Sequence, residues 1–224
     1  MDSELLTMIV EQFPPALWET IYATFLATFF AVVIGLPLGT LMFVGSENGI
    51  MPIPKWLLKL LDVLINILRS IPFLIVVIVA FPLTRLIVGT TVGTTASIVP
   101  LVVAAFPFIA RLVEGSLREV DPNLIEMAKS MGATPFQIIT KVLLKEAVPS
   151  LISNVTLALT TILGYTAMSG IVGGGGLGKI AINYGYYRYK YGIMICAVVV
   201  LVLLVQLIQK IGTSLSIKLD KRLK

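Results

Sequence analysis

The sequence predicts an all-α integral membrane protein with five transmembrane helices and a pair of short helices in a polar interval between the third and fourth. Three observations carry this. Of the 224 residues, 57% are hydrophobic and 13% charged, more apolar surface than a soluble domain of that size can hide. Five stretches reach membrane-spanning length with almost no charge. One long charged interval, residues 114–146, separates the third from the fourth.

The hydrocarbon layer is about 30 Å thick, so each crossing needs about 20 residues. Residues 20–44 are free of charge, residues 57–83 carry Asp62 and Arg69, and residues 93–112 are apolar apart from Arg111. Residues 147–172 and 192–209 complete the set, and the whole of 1–224 reads as one transmembrane domain. A charge at the centre of a span costs about 2.5–3.5 kcal/mol on insertion scales. Asp62, Asn66 and Arg69 fall at i, i+4 and i+7 on one helix face. Asp62 is expected at the boundary. Arg69 is the intramembrane charge that needs an account: beside Ser70 and Pro72, at an expected kink, it either snorkels to the interface or finds a partner in the bundle.

The chain has no histidine and one cysteine, Cys196, read as a small buried hydrophobe. No disulfide within the chain, metal-ligand cluster or histidine base is therefore available. The segment MDSELLTMIVEQ is acidic before its first apolar run and does not read as a cleaved leader. No nucleic-acid partner is expected. The first fifty residues contain no Lys or Arg, whereas the tail KLDKRLK is basic. Five crossings put the two ends on opposite sides, and the positive-inside rule places the tail in the cytoplasm and the N-terminus outside. Lys55, Lys59, Arg118, Lys129, Lys141 and Lys145 then lie inside, and Arg85, Lys179, Arg188 and Lys190 outside.

The run IVGGGGLGKI, residues 171–180, fits two nucleotide motifs superficially. Gly173, Gly178 and Lys179 match G-x-x-x-x-G-K, and Gly173, Gly175 and Gly178 match G-x-G-x-x-G. A P-loop needs a hydroxyl after its lysine, where this chain has Ile180, and no Asp or Glu occurs between Glu146 and Asp220 to serve a metal or a ribose. The topology also puts the run on the outer face. Close backbone approach and positive φ are the expected uses of Gly173, Gly174, Gly175, Gly176 and Gly178. Tyr184, Tyr186, Tyr187, Tyr189 and Tyr191 beyond them read as an interfacial aromatic belt.

In the charged interval, Asp121 is a helix N-cap followed by Pro122 at the first position. Leu124, Met127, Ala128 and Met131 recur at i, i+3, i+4 and i+7 as one apolar face, and Gly132 stops the helix. Thr134, Pro135 and Gln137 restart it as a capping box. Phe136, Ile139 and Leu143 would be the second helix's apolar face. Periodicity alone leaves two readings open: helices lying on lipid, or helices seated in a partner's groove.

Glu126, Met127 and Ala128, then Gly132, Val142 and Leu144, resemble the EAA loop of ABC-type importer permeases, roughly E-A-A-x3-G-x9-I-x-L-P. Met127 replaces an alanine and Lys145 a proline. The segments NILRSIPF (66–73), VPLVVAAFPFIARLVE (99–114), EMAKSMGATPFQIITKVLL (126–144) and GYTAMSGIVGGGGLGKIAINYGY (164–186) are similar to the permease subunits of methionine ABC importers. That resemblance implies a homodimer in the bacterial inner membrane, two cytoplasmic ABC ATPase subunits that hold ATP and magnesium, and an external methionine-binding protein. This chain itself would have no ATPase site and bind no cofactor. Methionine is the implied cargo, with both L and D forms within the expectation.

On this resemblance Leu124, Glu126, Met127, Ala128, Met131 and Gly132 form the ATPase-coupling segment. In the fourth span, Ser150, Asn154, Thr161, Tyr165 and Met168 recur on one stripe. Helix-to-helix bonding is the plainer expectation for Ser150 and Asn154. Asn154, Thr161, Tyr165 and Met168 are the implied pathway and gate residues, and the glycines from 173 to 178 the external hinge. Two competing functions stay open: an ATPase-independent carrier or channel, and a permease of the same class for another amino acid, betaine or phosphonate.

Overall fold

The computed structural model describes residues 3–47 and 49–220, with side chains from residue 10 onward; the last four residues of the basic tail lie outside that range. The described residues form helices and turns, with no strand among them. They are α1 (Ser3–Val44), α2 (Lys55–Ser70), α3 (Phe73–Val79), α4 (Phe81–Val88), α5 (Thr94–Arg118), α6 (Pro122–Ser130), α7 (Pro135–Gln137), α8 (Leu144–Glu146), α9 (Val148–Ser169), α10 (Gly176–Ile180) and α11 (Tyr191–Leu219). Four are long and apolar enough to cross a membrane, and a fifth crossing is counted when α2 and α3 are taken as one broken span. The all-α, membrane-spanning class therefore holds.

The second span is not one helix. Residues 57–83 divide into α2, α3 and α4. Ser70 ends the first piece and Pro72 precedes the next with extended backbone, ψ 139°; the proline also pushes the residue before it, Ile71, out of the helical region. The first helix is longer than the uncharged run suggests. It has 42 residues, about 63 Å at 1.5 Å per residue, because charge marks where lipid ends and not where a helix begins. The helices of the third and fifth spans, α5 and α11, likewise run beyond their apolar segments, to Arg118 and Leu219.

The chain forms two compact units: Met1–Ala31 with Ile71–Ala105 and Ala158–Gln209, and Val32–Ser70 with Phe106–Leu157 and Lys210–Lys224. In the first, Phe13 and Ala16 of α1, Leu177 and Ile180 of α10, and Ile193 and Ala197 of α11 form a core, with Cys196 partly buried against it. In the second, Met42, Ile65 and Ala110 pack together with Leu38.

Helix α1 buries small residues. Ala16, Thr20, Ala23, Thr24, Ala27, Thr28 and Ala31 are all buried, and the threonine hydroxyls donate to carbonyls one turn back at 2.7–2.9 Å. Small side chains let helix backbones approach closely where lipid supplies no hydrophobic drive. In the second unit the same stripe continues as Gly35-x-x-x-Gly39. A Cβ on Gly35 would sit 2.8 Å from Ile109 Cγ2, and one on Gly39 would strike the Ala110 carbonyl. Gly39→Val is expected to destabilise the isolated chain in detergent by about 1–3 kcal/mol through overpacking, read as a lowered thermal midpoint. Gly115→Ala, where an added Cβ meets nothing within 4 Å, leaves the midpoint unchanged or slightly raised.

Candidate functional site

The loop between α5 and α9 folds as its caps dictate. The Asp121 carboxylate accepts from the Asn123 N–H at 2.9 Å, with Pro122 at the first helical position. At the other end Gly132 has φ 76°, the left-handed conformation that favours glycine. Its N–H reaches the Lys129 carbonyl at 2.9 Å while that of Ala133 reaches Ala128 at 3.1 Å, the paired bonds of a Schellman motif. The capping box forms as the sequence indicates: Thr134 Oγ1 accepts from the Gln137 N–H at 3.3 Å, and Gln137 Oε1 from the Thr134 N–H at 2.9 Å.

The apolar residues of this loop divide differently from the periodic expectation. Ala128 is buried and Leu124 half-buried, whereas Met127 is 56% and Met131 82% exposed, with Glu126 and Gly132 also exposed. Phe136 is 74% exposed. Beyond α7 the chain winds as a π-helix over Ile138–Leu143, whose i→i+5 bonds bring residues five apart to the same side. Ile138 and Leu143 are accordingly the buried pair, replacing the Phe136, Ile139 and Leu143 face that a 3.6-residue period suggests. Leu124, Ala128, Ile138 and Leu143 anchor the loop; Met127, Met131 and Phe136 remain as a hydrophobic surface.

The glycine run has an internal occupant for its amides. Gly173 and Gly176 have φ 90° and 82°. The Gly176 N–H donates to the Glu19 carboxylate at 2.7 Å, and the Leu177 N–H to Thr20 Oγ1 at 2.9 Å. These are the groups a phosphate would have to reach, and side chains of α1 already hold them. A Cβ on Gly175 would collide with Thr94 and Glu19, and one on Gly178 with the Ala167 backbone, so the run is glycine because α1, α5 and α9 close on it. Gly174 is buried there, its N–H bonded to the Ser169 carbonyl at 2.9 Å.

On α9 the stripe is split by its partners. Asn154 Nδ2 donates to Ser116 Oγ at 2.7 Å and Ser150 Oγ to the same atom at 3.2 Å, so both bond α9 to α5. Thr161 is half-buried. Tyr165 stacks on Phe73 with ring centroids 4.6 Å apart and planes at 3°, and Met168 is 39% exposed.

The charges of the second span are arranged in a way the sequence reading did not reach. Arg69 stands exposed at the end of α2, and it is Asp62 that pairs across helices, with Arg111 of α5. Arg111 also holds Asn66 Oδ1 at 3.0 Å and Glu114 at 2.8 Å, and Glu114 holds Arg118 at 2.6 Å. The available signal was spacing: Asp62 and Asn66 lie one turn apart on one helix, and Arg111, Glu114 and Arg118 share a face of another.

Residues 31–218 match the family model described as the binding-protein-dependent transport system inner membrane component. The chain belongs to this family. It is 48% identical over 208 residues to the Vibrio cholerae protein named "Probable D-methionine transport system permease protein MetI", covering 92% of each chain. It is 50% identical over 153 residues to the D-methionine transport system permease protein MetI of Escherichia coli K12, covering 68% of this chain and 70% of that one. Among solved structures it is similar to a chain of the MetNI methionine ABC transporter in inward facing conformations, with a TM-score of 0.93 and 44% identity over 99% of this chain and 100% of that one. An amino acid ABC transporter at 19% identity and a TM-score of 0.77, over 97% and 100% of the two chains, shares the fold. As an inner membrane transport component the chain is a membrane subunit rather than the nucleotide-hydrolysing one.

Glu19→Ala removes the acceptor that holds the glycine turn. Deuterium uptake by a peptide spanning residues 170–180 is expected to rise roughly tenfold, as loss of one buried hydrogen bond of about 1–3 kcal/mol implies, with the α6 peptide unaffected.

Proposed function

We propose that the chain is the transmembrane permease subunit of an ATP-driven methionine importer. Two copies form the pathway, two cytoplasmic ATPase subunits hold ATP and magnesium, and an external binding protein delivers methionine of either hand. The observation that carries this is the likeness to the MetNI chain, 44% identical with essentially full coverage of both. The whole of 1–224 acts as one permease domain with its N-terminus outside and C-terminus in the cytoplasm, an orientation supported by the distribution of Lys and Arg.

In this reading α6 is a mechanical element. Met127 and Met131 with Phe136 are the exposed apolar residues of an otherwise polar loop, and thioether side chains adapt to a moving partner surface. Glu126 supplies a charge-assisted contact at the groove's rim. Leu124 and Ala128 face the other way and tie α6 to its own chain, so a displacement of the ATPase groove is passed to α5 and to the π-helical segment. Gly132 permits the reversal between α6 and α7 and fixes the angle at which the element is presented.

The pathway is assigned to α9. Tyr165, held flat by Phe73, and the exposed Met168 provide a gate near the outer side, with Thr161 and Asn154 deeper along the stripe. Gly173, Gly174, Gly175, Gly176 and Gly178 form the external hinge, which Glu19 latches through the Gly176 N–H.

Co-purification with the ATPase subunit and reconstitution with methionine-loaded binding protein test the assignment. Loaded binding protein is expected to stimulate ATP hydrolysis and drive labelled methionine into vesicles; no stimulation and no uptake refute it. At Gly132 an added Cβ meets nothing within 4 Å, so a bulky replacement acts by disfavouring φ 76°. Gly132→Leu is expected to leave membrane insertion intact and lower methionine uptake per ATP hydrolysed by about tenfold, a size typical of residues that carry coupling. Tyr165→Ala with Met168→Ala is expected to impair uptake while preserving assembly, measured as initial uptake rates in the same vesicles.

A further inference from the structure

We propose that Arg111 is a positioning residue of the transport cycle: its ion pair with Asp62 yokes α2 to the end of α5, so that movement of α6 is carried into α2. The inference rests on the permease reading above.

The arrangement is a chain of alternating charge drawn from two helices. Asp62 of α2 meets one terminal nitrogen of Arg111, which also lies 3.0 Å from Asn66 Oδ1. The other nitrogen meets Glu114 Oε2 at 2.8 Å, and Glu114 Oε1 meets Arg118 at 2.6 Å. The guanidinium fork is thus spent on two helices at once, a geometry a lysine cannot reproduce. Two acids and two bases sum to no net charge, which lets the cluster sit at the edge of the hydrocarbon. The Glu114 side chain is only 8% exposed and, lying between Arg111 and Arg118 on the same helix, fixes where the Arg111 fork is presented. Asp62, whose side chain is 45% exposed, is the member that reaches this fork from α2.

Two further observations assign the link a task. Within this chain helix α2 is thinly packed: Ile65 is its one buried residue, Leu57, Leu58, Leu61 and Leu68 are half-buried, and Trp56, Leu60, Val63, Leu64 and Ile67 are exposed. Ile65 packs with Met42 and Leu38 of α1 and with Ala110, one residue from Arg111; these apolar contacts are non-directional, whereas the ion pair is not. Helix α5, for its part, carries two fully buried prolines, Pro100 and Pro107; Pro107, the nearer to the network, has no N–H to give the turn before it and is a point where a load would bend the helix. The network spans residues 111–118, between that proline and the Asp121 cap of α6. Without the yoke, a push on α6 is absorbed at Pro107. With it, the last turns of α5 and the body of α2 move as one piece, and α2 leads directly into the break at Ser70–Pro72.

The test uses the full complex with ATPase subunits and methionine-loaded binding protein in vesicles. Asp62→Asn and Arg111→Met are each expected to lower methionine uptake per ATP hydrolysed by roughly tenfold, in the range found for coupling residues, while assembly and unliganded ATP hydrolysis persist. The double variant is expected to be no worse than either single one, and Arg111→Lys to fall between wild type and Arg111→Met. A merely structural role predicts loss of assembled complex with a normal ratio in what remains. Should Arg111→Met not assemble, Asp62→Asn, which keeps side-chain volume, carries the test. Normal ratios in the single variants, or losses that multiply in the double one, overturn the proposal. If the wild-type complex itself carries no methionine, the permease reading fails instead.

Discussion

Hydrocarbon offers a peptide group nothing to bond with, and the departures from helix within the apolar segments of this chain are shaped by that fact. Where the backbone stays helical the requirement is met automatically, and the threonines of α1 meet theirs by donating to the carbonyl one turn back. Where the helix stops, a partner has been supplied. The turn at the glycines takes a carboxylate and a hydroxyl from α1, and the Gly93 N–H closes on the Gly173 carbonyl. Among the described residues no buried side-chain nitrogen or oxygen lacks a partner. Small residues follow from the same constraint: packing between helices cannot draw on the hydrophobic effect in lipid, so it draws on close approach, at Gly35 and Gly39 most visibly.

This economy makes the exceptions informative. Methionines and a phenylalanine left open on the polar loop, on α6, its C-cap and α7, are what a grooved partner requires. Membership of a family of binding-protein-dependent transport components gives such a partner a place in the system. The four-member charge network stands out as well: it is built around the buried Glu114, and its members connect the helix that precedes α6 with the thinly packed α2.

Much of this was legible in the residues. Composition and segment length gave the class, and caps gave the loop, because Asp121, Gly132, Thr134 and Gln137 act through local backbone geometry that no tertiary context overrides. The family resemblance points to the same interval as the coupling segment, the role proposed for it above. What escaped the sequence was set by non-local or non-standard geometry. The π-helical winding of residues 138–143 moved burial from Phe136 and Ile139 to Ile138, since a 3.6-residue period cannot anticipate i→i+5 bonding. The partner of Asp62 lies 49 residues away on another helix, and charge alone pointed instead to Arg69. Glu19 looked like the end of an uncharged run; its carboxylate is in fact the acceptor that a distant glycine turn needs, 157 residues on.

The central claim is that α6 is gripped by a separate ATPase, and solvent access at Met131 reads it directly. With Met131→Cys in a Cys196→Ser background, the rate of labelling by a water-soluble maleimide is compared for the permease alone and for the assembled complex. The account predicts fast labelling alone, as its 82% exposure implies, and strong protection when the ATPase subunits are present. Equal rates in the two preparations would contradict it.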